Sequence, residues 1–186
     1  MYFSVLKTTI LLLASTILAY SIASGQSNKA KAKFDQGVVQ NQMGLLVDAS
    51  LLLTEAIETY PEYAEAYYQR GLSFNGMRQK KAAIKDLEQA IELQIDNIQA
   101  YLLLIRWYKS VEEFEKALVV TERIIEQLPD NTAGAYYDQG LIYDKTKEPK
   151  KALAAYKNAL KHLDADLVEF KNLLEMRVQE IEANLK

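Results

Sequence analysis

Apolar residues recur at helical spacing along most of the chain. Tyr67, Gly71 and Phe74 fall at i, i+4 and i+7, one face of a helix. The polar turn NGMRQK follows, with Gly76 in it. Ala83, Leu87, Ala90 and Ile91 then form a second stripe of the same period. The pair is written more than once: AYYQRGLSF (66–74) returns as AYYDQGLIY (135–143), with a fainter AYLLLIRWY (100–108) between them. A step of 34 residues from Gly71 reaches Gly37 on one side and Ile105 on the other, and 35 more reach Gly140. The same steps from Ala83 reach Ala49, Ala117 and Ala152. Pro61 and Pro129 stand two periods apart, each just after an apolar run, and one residue is inserted near Thr132.

The pattern predicts helix pairs over 30–63, 64–97, 98–131 and 133–166, and a last helix over 167–186. The stripe of that helix is Leu167, Phe170, Leu174, Val178, Ile181 and Leu185. Its other face, with Glu169, Lys171, Glu175, Arg177, Glu180 and Glu182, reads as solvated. The helix is expected to cap the last apolar face of the array, with a dimer surface as the alternative. A glycine inside a helix costs about 0.5–1 kcal/mol relative to alanine, so three at one slot imply a steric reason. Small residues there let two antiparallel helices approach closely.

These spacings resemble the tetratricopeptide repeat family. Its 34-residue unit carries a large apolar residue, Gly and an aromatic on the first helix, then Ala, a large residue and Ala on the second, with Pro near the end. The second and fourth units match best, through Tyr67, Gly71, Phe74, Ala83, Leu87 and Ala90, and through Tyr136, Gly140, Tyr143, Ala152, Tyr156 and Ala159. The third keeps Tyr101, Leu104, Tyr108, Ala117 and Pro129 but has Ile105 for Gly and Thr121 for the large residue, so a wider helix crossing is expected. The first keeps Gly37, Ala49, Leu53, Ala56 and Pro61. Its Lys33 and Gln40 replace aromatics, as expected of a terminal unit whose outer face meets water.

The resemblance covers about residues 30–166 and implies an all-α fold, a right-handed α-α superhelix whose first helices line an inner groove. Tyr68, Leu72 and Asn75 are rotated about 100° from the inward stripe of Tyr67 and can face that groove. The equivalent slots are Phe34, Val38 and Asn41; Leu102, Arg106 and Lys109; and Tyr137, Leu141 and Asp144. Phe34, Tyr68, Leu102 and Tyr137 would then anchor a bound segment, the alternative being that the aromatics complete packing between repeats. Relatives that clamp acidic chaperone C-termini use a basic set on their first helices. The matching slots here are Phe34, Val38, Gln69, Gln99 and Leu103 or, one repeat later, Tyr68, Leu72, Leu103, Gly134 and Asp138. Neither set is basic, so that function is not expected.

The start of the chain differs in kind. Lys7, an apolar run over 8–23 and the small residues Ala23-Ser24-Gly25 have the layout of a secretory signal peptide over residues 1–25, followed by a short linker over 26–29. A cut after Ala23 is the nearby alternative. Sixteen helical residues span roughly 24 Å, short of the ~30 Å hydrocarbon core. Lys29, Lys31 and Lys33 favour the competing reading, an uncleaved anchor with membrane association through residues 8–23. Export is expected, to the periplasm or envelope if the source is bacterial.

Composition narrows the chemistry. The 186 residues carry a formal charge of −3, one His and no Cys. A mild charge without clustered Lys and Arg gives no basis for nucleic-acid binding. The missing Cys rules out disulfides, thiolate chemistry and lipoprotein attachment. His162 ends a helix, where a polar or positive side chain suits the last carbonyls. Asp164 and Asp166 read as helix boundaries, and Glu112-Glu113 as a helix start. No nucleophile, metal-ligand or phosphate-loop motif appears, so no catalytic residue, metal or cofactor is expected. The expected role is a non-enzymatic adaptor for a protein or peptide segment, with a membrane-tethered assembly factor as the alternative.

Overall fold

The computed structural model describes residues 27–95 and 97–185, so the signal or anchor reading of residues 1–25 lies outside the described residues. The described residues form nine α-helices and no strand. Helix α1 is described over 27–42. It is followed by α2 (Leu46–Thr59), α3 (Ala64–Gly76) and α4 (Lys80–Glu92). Then come α5 (Ile98–Ser110), α6 (Phe114–Gln127), a short 3-10 turn (Pro129–Asn131), α7 (Thr132–Lys145), α8 (Pro149–His162) and α9 (Val168–Asn184). The chain divides into two compact units after Ile95.

Local chemistry sets many of the helix ends. Asn97 caps α5, its side chain accepting from Gln99 N at 2.9 Å. Pro149 sits in the first turn of α8, where its missing N–H is no loss. The turn inside each hairpin is closed the same way. Gly44, Arg78, Glu112 and Lys147, all in one register, take φ of 76°, 60°, 60° and 61°. The next residue donates its N–H back across the helix end: Leu45 to Gln40 O, Gln79 to Phe74 O, Glu113 to Tyr108 O and Glu148 to Tyr143 O, at 2.8–2.9 Å. These are Schellman closures, which satisfy the orphan carbonyls of the first helix. Only Gly44 is a residue that takes this left-handed conformation without cost.

In the first unit, Ala49, Leu53, Ala56, Ile57 and Ala66 form a core against which Phe34, Tyr63 and Tyr67 pack. In the second, Ala152, Tyr156 and Ala159 of α8 join Leu174, Val178 and Ile181 of α9. The glycine slot shows why these hairpins need no side chain there. A Cβ on Gly37 would stand 2.7 Å from Leu53 Cγ, and one on Gly140 would stand 2.3 Å from Tyr156 Cε1. On Gly71 the nearest atom would be Ala83 O at 3.3 Å, with Leu87 Cδ2 at 3.6 Å. Glycine therefore makes room chiefly for the large residue of the second helix.

The third hairpin reverses this fit. Ile105 and Thr121 hold the same two slots and are both fully buried. The large residue is now on the first helix and the small one on the second, so the two departures compensate. Helices α5 and α6 also approach closely along less of their length than α3–α4 or α7–α8, in line with the wider crossing expected. The first hairpin brings a correction. Lys33 and Gln40 do not face open water. Lys33 is half-buried and paired with Glu55 at 2.6 Å, and Gln40 Oε1 is buried with no hydrogen-bond partner among the described residues.

Candidate functional site

In the first unit the slots picked from sequence come together between first helices. Val38 and Asn41 of α1 and Leu72 of α3 line one open cavity of about 340 Å³ with Gln42, Leu46 and Gln69. Asn41 is also a clamp. Its Nδ2 donates to Gln69 O at 2.9 Å, and its Oδ1 accepts from Ser73 Oγ at 2.7 Å. The cavity thus has a polar wall fixed between α1 and α3 and an apolar wall of Val38, Leu46 and Leu72. Phe34 is not part of it. Its ring lies 4.8 Å from that of Tyr63 and packs on the unit's core. Tyr68 is half-buried and Asn75 is exposed.

In the second unit the slots divide. Tyr137, Leu141 and Asp144 of α7 line a cavity of about 200 Å³ with Tyr156, Leu173, Leu174 and Arg177. Leu102 lines a separate one of about 260 Å³, shared with Ile98, Ala133 and His162 among others. Arg106 is exposed. Lys109 is committed to an ion pair with Asp138 at 2.8 Å, tying α5 to α7. Tyr137 packs edge-on against Phe170, with centroids 5.1 Å apart, and lies 6.1 Å from Tyr156. The rings at 34 and 137 both pack against neighbouring aromatic side chains, and Tyr137 also lines the smaller cavity.

Two polar clusters join residues whose pairing was not legible. Arg70 grips Asp86 through two bonds of 2.8 Å, Nε to Oδ2 and Nη2 to Oδ1, and donates from Nη1 to Thr54 at 3.0 Å. Its guanidinium also lies 5.5 Å from the Tyr67 ring and 5.7 Å from that of Phe74. Burial works against the charged guanidinium, but the Asp86 bonds outweigh it and hold the pKa above the usual value. The second cluster centres on Asp144, which accepts from Tyr156 OH at 2.7 Å and from Arg177 Nη2 at 2.9 Å and Nε at 3.1 Å. Burial, then the Asp144 bond, pushes the Tyr156 hydroxyl above its ordinary pKa of 10.0. Both clusters join residues 12 to 33 positions apart, which single-helix spacing does not connect. The one sequence cue was that Arg70 is Gln139 in the second copy.

In both clusters each charged group is engaged by an intramolecular partner. His162 is exposed and stacks on Tyr136, with centroids 5.6 Å apart. Among the described residues, no group of three or more His, Cys, Asp or Glu side chains could hold a metal ion, and no helix is long and apolar enough to cross a membrane.

The model of the tetratricopeptide repeat family matches residues 64–97 and 133–161, the hairpins α3–α4 and α7–α8. No curated protein sequence matches the chain. Among solved structures, a crystal structure of MamA is 29% identical with a TM-score of 0.62, the match covering 77% of this chain and 83% of that one. YrrB, described as a tetratricopeptide repeat protein with an unusual peptide-binding site, is 17% identical with a TM-score of 0.64, over 89% of this chain and 82% of its own. PilF of Pseudomonas aeruginosa is 17% identical with a TM-score of 0.60, over 86% and 70%. The helix hairpins in one register, their glycine and alanine slots and these matches agree: hairpins α3–α4 and α7–α8 match the tetratricopeptide repeat model, and the chain has the fold of tetratricopeptide repeat proteins.

Proposed function

We propose that the protein is an exported, non-enzymatic adaptor that holds a segment of a partner protein against the first helices of its hairpins. The observation that carries this reading is the cavity between α1 and α3, where Val38, Leu46 and Leu72 offer apolar surface beside the side chains of Asn41, Gln42 and Gln69. Apolar contacts supply affinity for a bound chain, and neighbouring amides can pair with its backbone. The cavity of Tyr137, Leu141 and Leu173 is a second candidate, and its apolar lining suits a single large side chain. The peptide-binding site named for YrrB supports the class of ligand, not its identity.

The test is a cross-linking pull-down from the native source with Leu72→Asp and Leu141→Asp. Both residues are only partly buried and hold no polar partner, so these variants keep the helix clamps. A partner that both variants lose supports the reading. A partner retained by the pair removes the first-helix face from the account. Tyr137→Ala would be a poor probe, since that ring is part of the α7–α9 packing. Export has its own measurement. An intact mass lacking residues 1–25 fits a cleaved signal peptide, and a full-length mass favours a tethered assembly factor instead.

A further inference from the structure

Gly134 has no explanation inside the chain. It lies in the first turn of α7, where a glycine lowers stability relative to alanine. A Cβ added to Gly37 or Gly140 would run into Leu53 or Tyr156, but one added to Gly134 meets nothing within 4 Å. The same slot holds Glu65 in α3 and Gln99 in α5. Backbone without a side chain is useful where a ligand must come close to it.

Gly134 opens onto the cavity of about 260 Å³, whose lining belongs entirely to the second unit. Its apolar walls are Ile98 and Leu102 of α5 and Phe170 of α9, all half-buried and so with surface left to offer. Drug-sized ligands fill roughly 300–1,000 Å³, so this cavity suits one or two side chains of a longer segment. Asn131 also lines it. That residue stands at the N-cap of α7 and makes no capping bond, whereas Asn97 of α5 is spent on Gln99 N.

The charge in the wall has one sign. Asp130 and Asp164 line the cavity, and no Lys or Arg does. Asp86, Asp138 and Asp144 are each paired within the chain, but among the described residues Asp130 and Asp164 take part in no ion pair. The stretch 162–170 adds Asp166 and Glu169, again without Lys or Arg. The N-terminus of α7 offsets about half a charge, which two carboxylates outweigh.

We propose, in an inference that rests on the adaptor reading, that this cavity is the subsite for a partner segment carrying a large apolar side chain beside a lysine or arginine. The apolar side chain lies over Gly134 against Ile98, Leu102 and Phe170. The cation faces Asp130 and Asp164, and the Asn131 amide pairs with the segment's backbone. Both carboxylates are exposed, so binding weakens as salt rises.

Selection of random peptides displayed on phage against the full chain tests this, with two variants. Asp130→Asn with Asp164→Asn removes the charge and keeps the shape. Gly134→Leu fills the space over the backbone and, as a better helix former at an unhindered position, should raise the denaturation midpoint. The native chain should enrich peptides with Lys or Arg next to a large apolar residue. Their affinity should fall about tenfold in the double variant at low salt, and further in Gly134→Leu despite its higher stability. Enriched peptides that are acidic or uncharged overturn the proposal, as does an affinity that neither variant changes. Enrichment that Leu72→Asp alone abolishes also overturns it, yet leaves the adaptor reading standing. A chain that enriches no peptide overturns the subsite, and the pull-down then decides the adaptor reading by itself.

Discussion

Hairpins α3–α4 and α7–α8 share five of nine residues along one stretch of their first helices and the same family match, yet they are closed by different means. In α3–α4 the second helix presents Leu87 and Asp86, and the gap is finished by Arg70 reaching over to Asp86 and Thr54. In α7–α8 the corresponding residues are Tyr156, Ala155 and Gln139. A large ring lies directly on Gly140, and its hydroxyl is held by Asp144. One hairpin uses a buried ion pair and the other an aromatic side chain. The conserved spelling thus sets the spacing of the backbones, and the changed letters decide how the remaining volume is filled.

The difference can be broken at its strongest point first. Asp86→Ala leaves Arg70 charged and buried without its partner and should cost about 3 kcal/mol in urea unfolding. Writing in the letters of the other hairpin, Arg70→Gln with Asp86→Ala, removes both charges and should cost about 1 kcal/mol. A double variant as damaging as Asp86→Ala alone would contradict the ion-pair account.

Next come the glycines. Gly140→Ala drives a methyl group into the Tyr156 ring and should destabilise by about 2 kcal/mol. Gly71→Ala meets only a carbonyl oxygen at 3.3 Å and gains helix propensity, so its effect should stay within about 1 kcal/mol of zero. Equal losses would mean that the slot, not its neighbour, sets the cost. The reversed pair in α5–α6 sharpens the rule. Thr121→Leu alone should cost about 2 kcal/mol, and adding Ile105→Gly should recover part of it.

A smaller effect follows from Tyr156→Phe, which removes the bond to Asp144 and should cost about 1.5 kcal/mol at neutral pH. The Tyr156 proton is held more tightly in the folded chain than in the unfolded one. Between the ordinary tyrosine pKa near 10 and the raised folded value, the unfolded chain binds fewer protons, so stability falls as pH rises. The native protein should lose stability above pH 10 more steeply than Tyr156→Phe, as read from denaturation midpoints. The smallest expected change is one in which the two hairpins agree. Arg78→Gly and Lys147→Gly both relieve a left-handed residue in the same closure and should each stabilise by about 0.5–1 kcal/mol.

The repeat register was legible because backbone spacing forces residue types to recur. Gly37, Gly71 and Gly140, and Ala49, Ala83, Ala117 and Ala152, are demanded by close approach, and a period of 34 exposes them. What the sequence hid was pairing between slots. Ile105 and Thr121 read as two separate departures until the fold set them in facing positions. The Arg70–Asp86 and Tyr156–Asp144 bonds cross helices, so no spacing within one helix announces them. The site was legible only in part for the same reason. Rotation about a helix grouped Val38, Asn41 and Leu72, and all three line the cavity between α1 and α3. It could not show that Lys109 would be taken by Asp138, or that the Phe34 ring would meet Tyr63 and the Tyr137 ring Phe170.

Site-specific photo-cross-linking in the native source tests the central claim most directly, with the reactive side chain placed in turn at Leu72, at Leu141 and at Lys85, an exposed position on the second helix of its hairpin. The account predicts discrete adducts with one partner from Leu72 and Leu141 and none from Lys85. Adducts from Lys85 alone, or the same adducts from all three positions, would contradict it.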